Sequence, residues 1–234
     1  MSAGDVRLEG REDTPRPLTV DEIKKYIGLY GTAAANAVHR AGFDGVEIHG
    51  ANGFLPDQFM QTVTNNRTDE YGGSSENRLR FTLEVVDAVV AAVGQGKVGL
   101  RVSPWSSFGG MYIVVSSGLS QVIDMIIGMG MSDPKPTFAA LFTRIRDRHP
   151  DLAYMHVVEP RVSGYLQRDV EAHESNDFLR EIWKPRPFIS AGGYDREHAI
   201  EAAESTGDLI SFGRLFISNV RSSCLFTLWF VRSS

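Results

Sequence analysis

Cysteine is nearly absent from this 234-residue sequence: Cys224 stands alone, so no intramolecular disulfide can form and no cysteine-rich zinc site can be assembled. A reducing cytosol fits that usage. Long runs of lysine and arginine are missing too, and the 24 basic side chains are outnumbered by 29 acidic ones, leaving a formal net charge of −5. That balance offers no electrostatic footprint for nucleic acid or an anionic membrane. The amino-terminal stretch Met1 to Arg16 mixes both signs and lacks the apolar core of a secretory signal. Only Tyr112 to Met131 approaches the length of a bilayer span, with Asp124 as its single charge. Its glycines and its Ser and Gln residues read against a spanning helix, and the apolar stretch Leu225 to Val231 is too short to cross.

What is present is the composition of an ordinary folded protein. A hydrophobic fraction of 42% and a charged fraction of 23% exclude collagen-like and wholly disordered chains. The length suits one sizeable core. Along the chain, amphipathic and apolar segments alternate. Asp21 to Arg40 reads as a helix capped by Thr19, with Ile23, Tyr26, Ile27 and Tyr30 at helical spacing and Gly42 after its end. Gly45 to His49 reads as a strand, and Ser74 or Ser75 can cap a second helix through Leu79, Leu83, Val86 and Val90 to Gly94. A strand follows at Val98 to Ser103, a helix at Thr137 to Arg148 ended by Pro150, and a strand at Ala153 to Val158. The remaining elements are a weakly patterned helix at Asn176 to Trp183, strands at Pro187 to Ser190 and Leu209 to Phe212, and a short helix at Glu197 to Ser205 between them.

Short apolar strands alternating with helices place the chain in the α/β class with a parallel sheet. Five such units fit either an open doubly wound sheet or part of a (β/α)8 barrel. In both folds the active site lies at the carboxyl ends of the strands. His49 and Asn52, Arg101, Glu159 and Arg161, Gly192 and Gly193, and Gly213 and Arg214 all fall at or just beyond those ends.

His49 and Asn52 could together donate two hydrogen bonds to one carbonyl or nitro oxygen and polarise it. Spacing alone favours the plainer reading, in which His49 satisfies loop backbone and Asn52 opens a turn. Arg101 could hold an anionic ring edge or a carboxylate, or it could form an ion pair at the mouth of the sheet. Gly192-Gly193 and Gly213 follow the last two strands, where backbone N–H groups can approach a phosphate and Arg214 can add a charge-assisted contact. A single Gly-Gly would more often be a plain turn.

These residues lie within a longer pattern. The run Ala41-Gly42-Phe43-Asp44-Gly45-Val46-Glu47-Ile48-His49-Gly50-Ala51-Asn52-Gly53, then Asp57-Gln58-Phe59, then Asn66-Arg67-Thr68-Asp69-Glu70-Tyr71-Gly72-Gly73-Ser74 resembles the Old Yellow Enzyme family. The later blocks Gly99 to Pro104, Val158 to Arg161, Ile189 to Tyr194 and Phe212 to Asn219 are similar to it in the same order, with a fungal character that includes the ergot-alkaloid pathway members. The resemblance implies a TIM barrel that binds FMN, reduces it with NADH or NADPH, and passes hydride to an activated alkene. By the same resemblance His49 and Asn52 would hold the electron-withdrawing oxygen of a small-molecule substrate. Arg101 would meet the flavin pyrimidine edge, and Gly192, Gly193, Gly213 and Arg214 the FMN phosphate.

The sequence departs from the family pattern in four places. Phe54 stands where the family usually has a proton-donating tyrosine, so protonation must come from water or another group, or the reaction shifts towards isomerisation. The eight-stranded family barrel has about three more strands upstream. Residues 1–219 are thus expected to form a partial barrel, with an inactive fragment as the alternative to an active enzyme. Tyr112 to Met131 interrupts the pattern and reads as an insertion or a retained intron, since Gly110-Met111-Tyr112 can be encoded by GGT-ATG-TAT with its donor-like GTATGT. It is expected to pack poorly. The tail Val220 to Ser234 reads as divergent or as a second read-through, because Val220-Arg221 can be encoded by GTA-AGA.

Overall fold

The computed structural model describes residues 1–7, 12–108, 129–164, 166–213 and 217. Most of the suspected insertion and the whole divergent tail lie outside these residues. The elements run α1 (Val20–Ala35), β1 (Val46–Gly50), α2 (Leu55–Met60), α3 (Ser75–Val93), β2 (Val98–Val102), α4 (Lys135–Arg148), β3 (Tyr154–Val158), β4 (Val162–Ser163), β5 (Leu166–Gln167), α5 (Asp177–Trp183), β6 (Phe188–Ala191), α6 (Arg196–Thr206) and β7 (Leu209–Ser211).

Local chemistry sets the helix ends. Thr19 accepts from the Glu22 backbone N–H while Glu22 accepts from that of Thr19, a reciprocal capping box at the start of α1. Ser74 caps α3 through the Asn77 N–H, and Gly94 ends it at φ 86°. The first helix is shorter than its pattern suggests. Beyond Ala35 the chain widens into a π-helical turn, Asn36–Arg40, closed by the Ala41 N–H on the Asn36 carbonyl. In that turn Val38 is buried and His39 Nε2 reaches the Ala92 carbonyl at 3.0 Å.

Five strands pair in parallel in the order β1-β2-β3-β6-β7, which is also their order along the chain. A doubly wound sheet reverses its strand order at a switch point and carries helices on both faces. Here the order never reverses. Ile48, Val98, Leu100, Val102, Met155, Val157 and Phe188 form one core with residues of α1, α3, α4 and α5, so these helices share one face. The sheet is therefore an arc of a (β/α)8 barrel. Its other face carries Glu47, His49, Arg101, Tyr154 and His156, residues of the opposite parity in the same ladder.

Aromatic rings carry much of the core. Phe59 stacks on Phe81 with centroids 4.3 Å apart, and Phe142 meets Trp183 edge-on at 6.1 Å. Two elements were not foreseen: α2, with Pro56 in its first turn, and the antiparallel β4–β5 hairpin. The last residues of the suspected insertion pack firmly, against expectation. Met129 and Met131 are buried, and the Met129 N–H bonds the Ser107 carbonyl.

Phe81→Ala removes a fully buried ring of α3 that stacks on Phe59 of α2 and meets Tyr30 of α1 edge-on, and is expected to cost about 3–5 kcal/mol. Phe43→Ser, at an exposed position, is expected to change stability by less than about 0.5 kcal/mol. Urea unfolding of the two variants checks the contrast.

Candidate active site

His49 lies one residue before the end of β1, half-buried, with its ring edge-on to Phe54 at a centroid distance of 4.5 Å. Burial first, and then the charge of Arg101, lower its pKa below the ordinary histidine value. The imidazole is therefore neutral at pH 7, with one N–H donor and one acceptor. The chain then turns sharply. Asn52 adopts φ 53°, the left-handed region that asparagine tolerates better than most residues, and Gly53 follows at φ 75°.

Three side chains hold this turn from below. The Asn52 N–H donates to Ser103 Oγ at 2.8 Å, just past the end of β2, and the Gly53 N–H donates to Asp57 Oδ2 at 2.9 Å in the first turn of α2. Gln61 Nε2 donates to Asp57 Oδ1 at 3.0 Å. Asp57 is wholly buried, and desolvation outweighs the bonds from Gly53, Gln61 and Ser103, pushing its pKa up to about 7. The Asn52 Oδ1 atom is buried without a partner. Phe54 is half-exposed and carries no hydroxyl to donate.

Arg101 stands beside His49 in the ladder, and His156 beside Arg101. His156 Nδ1 lies 2.8 Å from Glu47 Oε2, so the two outer strands of this trio are tied across β2. Gly99, between them, leaves space for the Tyr154 ring, into which a Cβ would run. Arg101 Nε and His156 Nε2 are both buried and unpartnered. Burial lowers the Arg101 pKa, partly offset by Glu47, and the guanidinium remains charged.

At the other side of the sheet, β6 runs into Gly192 and Gly193, and β7 into Phe212 and Gly213. These strands are parallel neighbours, so their loops open at the same end as His49. A Cβ on Gly192 would stand 2.8 Å from the Glu159 Cβ, and Gly193 has φ 64°. Gly213 is exposed, with nothing within 4 Å of where a Cβ would lie. Arg214 falls outside the described residues.

Beneath these loops Arg180 of α5 bonds Glu159 Oε1 at 2.5 Å, Asp208 Oδ2 at 2.7 Å and Ser190 Oγ at 2.9 Å. Burial alone would lower the Arg180 pKa, but the two carboxylates more than offset it. Arg161 stacks over Tyr194 at 4.0 Å with Nε and one terminal nitrogen buried and unpartnered. The supports Asp57, Gln61, Ser103 and Arg180 were not anticipated. Asp57 was visible only as part of the Asp57-Gln58-Phe59 block, and His156 only as a polar residue within an apolar strand.

The raised Asp57 pKa fixes a sign for the pH dependence of stability. Between the ordinary value of 3.8 and about 7, the folded chain keeps a proton that the unfolded chain releases. Stability from this group is therefore greatest below pH 4 and falls as pH rises to 7, by at most about 4 kcal/mol. Asp57→Asn is expected to flatten that part of the profile in urea unfolding followed across the window. An unchanged slope would contradict the assignment.

Comparison with known proteins agrees with the barrel-type fold. The family model described as "NADH:flavin oxidoreductase / NADH oxidase family" matches residues 3–222. The "Chanoclavine-I aldehyde reductase fgaOx3" of Penicillium roqueforti is 46% identical, across 94% of this chain and 54% of that protein. The "Probable inactive dehydrogenase easA" of Claviceps purpurea is 42% identical across 93% and 54%. Among solved structures, morphinone reductase in complex with tetrahydroNAD aligns with a TM-score of 0.74 at 33% identity, over 92% of this chain and 56% of that one. Old Yellow Enzyme from Pichia sp. AKU4542 aligns with a TM-score of 0.69 at 35% identity, over 88% and 48%. The chain spans about half the length of the curated relatives it matches. With a family model covering nearly all of its length and barrel relatives superposing on its sheet, the chain belongs to the NADH:flavin oxidoreductase / NADH oxidase family.

Proposed function

We propose that this chain supplies the substrate-polarising and cofactor-holding part of an FMN-dependent NAD(P)H oxidoreductase that acts on activated alkenes. The observation that carries this reading is the shared face of His49 and Arg101 in adjacent strands, with Arg101 Nε buried and left without a partner. A fixed cation with a free donor suits the electron-rich edge of a planar ring. The glycine backbone after β6 and β7 suits a phosphate, with Arg214 as the added charge. On both counts the residues present fit FMN. Arg101 would hold its ring edge, and Gly192, Gly193, Gly213 and Arg214 its phosphate.

When bound, FMN would supply hydride chemistry, taking a hydride from NADH or NADPH and delivering one to the alkene. His49 and Asn52 would donate to the carbonyl or nitro oxygen of a small-molecule substrate and draw charge out of the double bond, which stabilises the transition state more than the ground state. A neutral imidazole can do this with its single N–H. Phe54 can pack against His49 but cannot give a proton, so protonation falls to water or another group, or the outcome becomes double-bond isomerisation. The single cysteine supports the reducing cytosol as the setting.

A second reading, a chain without catalytic turnover, is favoured by that same missing hydroxyl and by the relatives whose name carries the word inactive. Substitution at position 54 separates the two. With FMN and an activated alkene present, Phe54→Tyr is expected to raise alkene-dependent NAD(P)H oxidation ~10²-fold, the low end for a positioned general acid. The alkene-independent loss of flavin absorbance on adding NAD(P)H should not change. An effect on that step alone, or on neither, contradicts the role given to position 54, and a chain that retains no FMN favours the second reading.

A further inference from the structure

The buried carboxylate of Asp57 takes no direct part in the chemistry above, and no salt bridge reaches it among the described residues. A buried, unpaired charge lowers stability, and an apolar residue of similar size would serve packing better. Its surroundings explain its chemistry. The Gly53 N–H donates to Oδ2 and Gln61 Nε2 to Oδ1. Ser103 Oγ accepts from the Asn52 N–H and lies close enough to Asp57 to favour its charged form, and above pH 7, where Asp57 is ionised, only the Ser103 hydroxyl can donate between the two. Every partner is a donor, and a carboxylate is the one side chain with acceptors alone.

Gln61 has no freedom to reverse its amide. Its Oε1 accepts from the backbone N–H groups of Gly130 and Met131, at 3.0 and 3.2 Å, which leaves Nε2 to face Asp57. Two successive left-handed residues, Asn52 and Gly53, sit at the top of this network. Backbone in that region persists where the surroundings over-determine it.

We propose that Asp57 is the positioning residue of this site: through Ser103 and Gly53 it sets the turn that presents Asn52, and through Gln61 it ties that turn to the backbone at Gly130 and Met131. The benefit of presenting Asn52 rests on the proposed function, whereas the wiring itself does not. Asp57 touches neither substrate nor cofactor in this account. Its influence runs through backbone amides: that of Gly53 directly, that of Asn52 through Ser103, and those of Gly130 and Met131 through Gln61.

Amide hydrogen exchange of the full-length chain, followed by nitrogen-15 NMR at pH 8, tests the wiring. Asp57→Asn sets an amide donor against at least one of the three incoming donors. It is expected to speed exchange about tenfold or more at Asn52, Gly53, Gly130 and Met131, with the amides of α3 unchanged. The double variant Asp57→Asn/Gln61→Glu exchanges carboxylate and carboxamide, so that donors again face acceptors, and should return all four amides to within about threefold of the native rates. Ser103→Ala should speed Asn52 most and leave Gly130 and Met131 protected. It keeps the test decisive if Asp57→Asn does not fold.

Unchanged exchange at Asn52 in Ser103→Ala overturns the proposal. So does unchanged exchange at Asn52 and Gly53 in Asp57→Asn, acceleration spread through α3, or no recovery in the double variant. Titration of the FMN-loaded chain with cyclohexenone then reads the consequence: about tenfold weaker binding in Asp57→Asn, recovered in the double variant. Native protein that binds no cyclohexenone defeats the proposed function, while the exchange pattern still decides the wiring.

Discussion

Side chains alternate between the two faces of a parallel ladder, so the pairing of Val46 with Val98 and of Gly99 with Tyr154 decides which residues meet the helices and which meet the open face. In the observed register Ile48, Leu100 and Met155 join the core, while His49, Arg101 and His156 come together on the other side. A slip of one residue in β1 or β2 would carry Glu47 or Arg101 to the core face and turn Ile48 or Leu100 outward. The register is therefore enforced by the hydrophobic core, and the polar site is its consequence. The hydrogen bond between Glu47 and His156 adds a cross-strand tie on the polar face.

Two layers can be distinguished at the carboxyl end of the sheet. Residues on the polar face and at the strand ends with buried, unpartnered polar atoms, Asn52, Arg101, His156 and Arg161, form the layer proposed to receive a ligand. Beneath them lie groups whose hydrogen bonds are made within the chain: Asp57, Ser103 and Gln61 under the Asn52 turn, and Arg180 with Glu159, Asp208 and Ser190 under the glycine loops. The conspicuous Asn66-to-Ser74 motif belongs to the supports as well. Arg67 donates to the carbonyls of Ala3 and Leu18 and pairs with Asp69, which pins the amino-terminal segment onto the loop before α3.

The strands and the long helices were legible because their signals are local. Thr19, Ser74 and Gly94 act where a capping rule places them, and each of the five parallel strands lies within a residue or so of its apolar run. The choice between barrel and open sheet was not local, since it needed the strand order and the single helix-covered face. The helix α2 is too short to show a period, and the π-helical turn continues an unbroken amphipathic pattern. The candidate ligand-facing residues could be named from strand ends and family blocks. Their supports could not, because Asp57 acquires its role only when Gly53, Gln61 and Ser103 converge on it, and Glu47 and His156 meet across 109 residues of sequence.

Arg101 is the cation proposed to hold a flavin ring edge, and FMN affinity depends most directly on it. Fluorescence titration of FMN with the native chain and with Arg101→Met measures that dependence. The account predicts saturable binding by the native chain and at least about tenfold weaker binding by the variant, the loss of one charge-assisted hydrogen bond. Its circular dichroism and unfolding midpoint should stay close to the native values. Equal affinity in the two proteins, or no saturable binding by the native chain, would contradict it.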